Sequence, residues 1–309
     1  MATDKIETTA LRNGNQSIVV DPNSPAAMKL LSQSYNAVYK DAFPMADERE
    51  TKPDLMKYAK DGDVVVTLVG EKLDSAKPII KGISVMYPYP DEDKKQTIGL
   101  LGYLGVAEKY RGEGLGHTLF DISRMDMADR ANAAGLPLAA MVHECNPVGT
   151  KDDNMDPEKR MQMYERWGCI RLPVQYSQQP LTPDGESVPL VLVAEADPKT
   201  GEYPTKQALK DYLYAMAVEA DGNAGQGPAD KNKLYQQMAK SLDDFDAKVG
   251  LNKFYADTIA KRQAALTGKF NAPAWKDAAQ PASARADQQK AAFAVKARKA
   301  KIATAKHAG

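Results

Sequence analysis

Residues 98–119, IGLLGYLGVAEKYRGEGLGHTL, decide the reading of this chain. An apolar run with interspersed glycines ends at Val106. A short connection follows, and Arg111-Gly112-Glu113-Gly114-Leu115-Gly116 then opens a stretch of helical periodicity. The order is strand, glycine-rich loop, helix N-terminus. Glycine leaves backbone N–H groups uncovered and lets a ligand approach closely. The first N–H groups of a helix lack intrahelical partners and lie at the positive end of its dipole. Together these features make a cradle for a pyrophosphate, and Arg111 adds a charge-assisted donor. The implied ligand is a phosphate-bearing cofactor; a tight turn with no ligand is the alternative for three glycines in so short a span. The dinucleotide fingerprint G-x-G-x-x-G has a spacing that Gly112, Gly114 and Gly116 lack. No Lys-Ser or Lys-Thr pair follows to make a nucleoside-triphosphate loop.

Working outward, residues 113–134 read as a helix whose stripe of Leu115, Leu119, Ile122 and Met125 packs on a sheet. Gly135 ends it, and 136–142 follows as a strand. Pro157 starts a helix through about Arg166, and 188–194 is a last strand that Pro189 marks as beginning at an edge. On the N-terminal side, 17–20 is a short strand and 25–43 a helix with Ser24 as N-cap and Pro25 in its first turn. A second helix is predicted over 53–59, then antiparallel strands at 64–69 and 79–87 around a turn at 74–77. Strands and helices mix without regular βα alternation. The predicted fold class is therefore α+β, a mixed and mostly antiparallel sheet flanked by helices. Beyond Pro204, residues 206–219 and 229–266 read as helices joined by a loose linker at 221–227, the second either continuous or split near Gly250. Residues 268–309 are rich in Ala, Lys and Gln, with few aromatics, Trp275 and Phe293 among them, and bury too little to fold alone.

The 309 residues balance 41 basic against 41 acidic side chains. That balance conceals an asymmetry, because 281–309 hold seven Lys or Arg and one acid, Asp287. Such an arm attracts polyanions, but it lacks the interleaved aromatics that stack bases; a solvated chain end is the other reading. The opening MATDKIETTALRNG has no long apolar segment, and no run approaches the 18 apolar residues of a membrane span. Two cysteines, Cys145 and Cys169, make no disulfide scaffold. A reducing, cytoplasmic setting is the expectation.

Arg111, Gly114 and Gly116 stand where the acetyl-coenzyme A loop of the GCN5-related N-acetyltransferases (GNAT) has Arg or Gln, two residues, Gly, one residue, and Gly or Ala. The segment resembles that loop. About 50 residues on, Met163-Tyr164-Glu165-Arg166-Trp167-Gly168-Cys169 is similar to the family's tyrosine followed by a glycine turn, with Cys169 in place of the usual final aromatic. The resemblance covers roughly residues 15 to 195. It implies a GNAT-like domain over 1–195 with the sheet splayed beside the cofactor; the change of texture beyond Pro204 adds a helical extension at 204–267 and a flexible basic tail at 268–309.

The resemblance also assigns roles. Acetyl-CoA would lay its pyrophosphate on the N–H groups of Arg111, Gly112, Glu113, Gly114, Leu115 and Gly116. Its pantetheine arm would run along Leu104, Gly105 and Val106, with Asn146 available to an amide and the thioester near 140–142. Tyr164 takes the place of the family's general acid. Glu144 and His143 are the candidates for general base, and alternation puts them on opposite faces if their strand continues. The acceptor would meet Tyr35, Tyr39, Phe43, Tyr87, Tyr89 and Tyr176. The last begins Tyr176-Ser177-Gln178-Gln179-Pro180-Leu181, which resembles the segment before the last strand in some members. Each of these side chains also has a purely structural reading. No metal is expected, since His143 and Cys145 have no third ligand nearby in sequence. The implied activity is transfer of an acetyl group to a primary amine: a small amine, an amino acid derivative or a peptide N-terminus. A non-catalytic acyl-CoA-binding or protein-interaction module, and a nucleic-acid-associated protein acting through the basic tail, are the alternatives.

Overall fold

In the computed structural model, which describes residues 6–46, 49–150, 155–178, 187–219 and 232–266, the first helix begins where the sequence places its cap. Ser24 Oγ accepts the Ala27 N–H at 3.1 Å, and Pro25 occupies the first turn of α1, Pro25–Ser34. The expected single helix over 25–43 is interrupted. A π-helical turn at Tyr35–Tyr39 links α1 to α2, Lys40–Ala42. Such a turn inserts an extra residue and re-aims the side chains beyond it. Thr51 caps α3, Lys52–Asp61, in the same way as Ser24 caps α1.

The described residues fall into two compact units, divided after Leu138. The first holds an antiparallel meander in chain order: β1 (Thr9–Ala10), β2 (Gln16–Val19), β3 (Val65–Glu71), β4 (Ile79–Asp91) and β5 (Gln96–Val106). β3 is β-branched and buried along nearly its whole length, because both faces of the sheet are covered. Leu68 packs in the core with Leu30, Leu31 and Leu55 of α1 and α3. Its neighbour Val69 packs against Leu115 and Leu119 of α4, Leu115–Ala133. In β5 the pairing passes from Val85↔Tyr103 to Met86↔Leu101 and leaves Gly102 as an extra residue. A Cβ at Gly102 would lie 2.6 Å from the Tyr87 ring, so this bulge needs glycine.

The buried face of α4 differs from the expected stripe. Leu115 and Leu119 are buried, but Ile122 and Met125 are half-exposed, and the face continues through Ser123, Met127 and Ala131. The serine hid the pattern. Its hydroxyl pairs with that of Ser84 on β4 at 2.5 Å, so a polar residue occupies a core position with its hydrogen bond satisfied.

The second unit contains β6 (Leu138–Cys145), α5 (Pro157–Arg166), β7 (Ile170–Arg171), β8 (Tyr176–Gln178) and β9 (Val188–Glu195). β9 is central. Its second half pairs antiparallel with β6 and β7, and its first half, with Pro189 opposite Ser177, pairs with β8. Three helices follow: α6 (Lys206–Tyr214, continued by a π-helical turn at Ala215–Glu219), α7 (Lys233–Val249) and α8 (Leu251–Leu266). Gly250, at φ +80°, separates the last two, which decides for the split reading. Leu209, Tyr212 and Leu213 are buried, while Leu234 is half-buried. Lys206 and Lys210 reach Asp246 and Asp243 of α7 at 2.8 and 2.6 Å. The boundary expected near residue 195 falls inside this unit. The linker at 221–227, Gln179-Pro180-Leu181 and the tail at 268–309 lie outside the described residues.

The architecture is α+β, with mostly antiparallel strands, flanking helices and C-terminal helices. Among the described residues no helix is long and apolar enough to cross a membrane. Cutting the chain after Lys269 is expected to leave the melting temperature unchanged. Cutting it after Val249 removes the buried Leu251 and Tyr255 and should lower it by about 10 °C, since emptying one large core side chain costs about 2–5 kcal/mol. Calorimetry of the two truncated chains checks both outcomes.

Candidate active site

The glycine loop joins β5 to α4 in the first unit. A 3₁₀ turn at Glu108–Tyr110 leads to Arg111, and Gly112 and Gly114 take φ of +87° and +79°. Gly114 is the N-cap, and no side chain caps the helix there. A Cβ at Gly112 or Gly114 would meet nothing within 4 Å. Glycine is therefore required by the left-handed backbone, and the space beside it is open. The helix starts at Leu115, two residues later than the periodicity implies, because Gly114 turns the chain in that conformation. Arg111 Nε donates to the carbonyl of Val106 at 3.2 Å, which folds the guanidinium back over the end of β5.

Glu113 puts a carboxylate beside the start of α4, and Lys81 offsets it. The Lys81 side chain, 6% exposed, lies 2.6 Å from Glu71 and 3.5 Å from Glu113, with its ammonium 4.7 Å from the centre of the Tyr110 ring. The hydrogen bond to Glu71 is the main cause that raises the lysine's pKa. Lys81 carried no sequence signal. Leu104 and Val106 are half-buried against the Val69, Leu115 and Leu119 cluster. Gly105 is buried, where a Cβ would come within 2.7 Å of Ala42. The open glycine backbone, the uncapped helix start and Arg111 together fit a pyrophosphate.

The same unit gathers four of the expected acceptor residues. The Tyr39 ring centre lies 5.3 Å from those of Tyr35 and Phe43 and 5.0 Å from Tyr103, and Tyr87 is 6.4 Å from Tyr103. The π-helical turn brings Tyr35 and Tyr39 into this group. Glu50 joins it by three bonds. Tyr87 Oη donates to Glu50 Oε1 at 2.8 Å, Tyr35 Oη donates to the Glu50 carbonyl at 3.0 Å, and the Glu50 N–H donates to Tyr39 Oη at 3.2 Å. Burial raises the pKa of Tyr39 and Tyr87, which keeps both phenols protonated. Tyr89, two residues beyond Tyr87 on β4, is half-buried.

The remaining candidates belong to the second unit. β6 continues through Cys145, so His143 and Glu144 face opposite ways as alternation requires. His143 faces α5. Its ring centre is 4.8 Å from that of Tyr164, and its Nε2 is 3.2 Å from Glu195 Oε1 and 3.9 Å from Cys169 Sγ. Tyr164 is buried, edge-on to Trp167, and burial pushes its phenol well above the ordinary value. Glu144 faces the other way. Its Oε1 accepts hydrogen bonds from Tyr176 and, at 2.6 Å, from Tyr212. Burial raises its pKa and the two phenols oppose that rise. Asn146, just past the strand, is half-buried.

No protein-family model and no curated protein matches the sequence. Solved structures do resemble it. A protein from Bacteroides thetaiotaomicron, described as an acetyltransferase from the GNAT family, aligns with a TM-score of 0.43 and 13% identity over 65% of this chain and 98% of its own. Arabidopsis thaliana NAA60 in complex with acetyl-CoA aligns at 0.39 and 15% identity, over 58% of this chain and 97% of its own. The ribosomal-protein-S18-alanine N-acetyltransferase from Escherichia coli aligns at 0.36 and 12%, over 58% and 92%. Likenesses of this degree assign neither an activity nor a residue role to the chain.

Glu195 is the carboxylate that sequence reasoning missed in the second unit. It is 2% exposed, and neither oxygen has a hydrogen-bond partner among the described residues, although His143 stands beside it. Removing one member of a buried ionisable pair costs about 3–5 kcal/mol, whereas replacing both with apolar groups is often neutral. His143→Leu is therefore expected to destabilise the protein strongly, and His143→Leu with Glu195→Leu to recover most of the loss. Denaturant melts of the two variants check this.

Proposed function

We propose that this chain is an acyl-CoA-dependent N-acyltransferase of GNAT type, transferring an acetyl group from acetyl-CoA to a primary amine. The observation that carries the reading is the uncapped start of α4, with Gly112 and Gly114 in left-handed conformations beside Arg111 at the end of β5. That arrangement suits a pyrophosphate linked to a further chain-like arm, and the second motif around Tyr164 and Gly168 follows in the order the resemblance requires. When bound, acetyl-CoA supplies an acyl group activated as a thioester.

Transfer to nitrogen breaks the acyl C–S bond, forms a C–N bond, takes a proton from the amine and returns one to sulfur. Glu144 is the proposed proton acceptor, because burial makes its carboxylate more basic than an exposed one. Tyr164 is the proposed donor to sulfur, since its buried phenol holds its proton throughout the neutral range. Glu50, a carboxylate set among the rings of Tyr39, Tyr87 and Tyr103, is the proposed anchor for a cationic amine. The test is a screen of small amines, amino acid derivatives and peptide N-termini, with free-thiol detection of CoA release. Release that depends on an amine supports the reading. Absence of release with every amine, together with no heat on titrating acetyl-CoA to millimolar concentration, overturns it.

A further inference from the structure

Three C-terminal side chains of the second unit make polar contacts with the segments that carry Glu144 and Tyr164. Tyr212 of α6 donates to Glu144 Oε1 at 2.6 Å, and its phenol oxygen lies 3.4 Å from that of Tyr176, which donates to the same atom. Tyr203, just before α6, donates to the carbonyl of Gly168, and Arg262 of α8 donates to the carbonyl of Cys169. Tyr203 is itself stacked on Tyr255 of α8 at 5.0 Å. The turn they hold is the one that ends α5, where the N–H groups of Trp167 and Cys169 both donate to the Tyr164 carbonyl at 3.0 Å. Packing α6 on its neighbours requires only an apolar ring at 212. The hydroxyl, at a position 0% exposed, has the Glu144 carboxylate as its acceptor.

We propose that the chain from Tyr203 through the C-terminal helices supplies positioning residues of the active centre: Tyr212 sets the place and protonation of Glu144, and Tyr203 and Arg262 hold the turn behind Tyr164. The proposal rests on the reading of Glu144 and Tyr164 as base and acid. Among the described residues the titratable groups that face Glu144 are Tyr176 from β8 and Tyr212 from α6; its strand neighbours His143 and Cys145 point to the other face. Both phenols favour the charged carboxylate, against the burial that disfavours it.

The experiment uses full-length wild type, Tyr212→Phe, Glu144→Gln and the double variant. Acyl transfer to an amine found by the screen is followed from pH 5 to 9, and melting temperature over the same range. Loss of the Tyr212 hydrogen bond should raise the Glu144 pKa further. The acidic limb of kcat/KM then moves to higher pH, and the rate at neutral pH falls by roughly tenfold while KM for acetyl-CoA stays unchanged. A carboxyl whose folded pKa lies above its unfolded one adds stability that is fully present below the unfolded pKa and is lost as pH rises through the folded pKa. In Tyr212→Phe that loss should extend to higher pH, and with Glu144→Gln it should vanish, alone or combined. A Tyr212→Phe protein that melts lower by the same amount at every pH, with its acidic limb in place, overturns the proposal. Should that variant not fold, Tyr176→Phe removes the other donor to the same oxygen and is read in the same way. If wild type releases no CoA with any amine and acetyl-CoA gives no heat on titration, the acyltransfer reading falls. The pH dependence of melting then decides by itself whether Tyr212 controls Glu144.

Discussion

Replacing Gly114 with aspartate is expected to weaken acetyl-CoA binding by about a hundredfold or more. Two effects add. A side chain at φ +79° costs about 1–2 kcal/mol of backbone strain, which the free loop relieves by leaving that conformation and which binding must restore. The new carboxylate also lies beside the uncapped N–H groups that would hold the pyrophosphate, where an ionic hydrogen bond is worth about 1.5–3 kcal/mol. An aspartate at an N-cap also tends to occupy those donors itself. Gly114→Ala separates the two effects. Its Cβ meets no atom within 4 Å, so alanine carries the strain without the charge and should bind only a fewfold more weakly. Calorimetric titration of the three proteins reads this directly. Equal affinities in wild type and Gly114→Asp would move the cofactor away from this loop.

The second large effect is on turnover. Tyr164→Phe keeps the ring against His143 and Trp167 and removes only the hydroxyl. General acid catalysis contributes about 10²–10⁴-fold, so kcat should fall by about a hundredfold at least, with acetyl-CoA affinity unchanged. Because burial raises the phenol's pKa well above its ordinary value, wild type should show no alkaline limb from this group below pH 9. Steady-state kinetics on an accepted amine decide it. Wild-type turnover in the variant would make Tyr164 an anchor for α5 and nothing more.

Features whose cause is local were legible in the sequence. Ser24 and the following proline announced α1, and Gly250 announced the break between α7 and α8, because a cap and a left-handed residue act within one turn of chain. The opposite facing of His143 and Glu144 follows from the period of a strand. What escaped was set by distant partners. Ser123 lies in the buried face of α4 because Ser84, 39 residues away, satisfies its hydroxyl. Tyr212 carried no signal of its role, since its acceptor Glu144 is 68 residues away. Tyr103 joins the aromatic cluster after the bulge at Gly102, which changes the parity of every side chain beyond it. Glu50 and Glu195 looked like ordinary acids until the fold placed tyrosines around one and His143 beside the other.

The hydroxyl pair of Ser84 and Ser123 has a consequence for the glycine loop at the start of α4. A helix packed on a sheet by apolar contacts alone can slide along its axis at small cost. A slip of α4 along β4 would leave two buried hydroxyls without a partner, at about 1–3 kcal/mol each. The pair therefore acts as an axial stop midway along α4, and the helix end at Leu115 keeps a constant offset from β4. An anion bound at that end would meet donors already in place. Little of its binding free energy would be consumed in arranging them, and more would be left to orient the rest of the molecule.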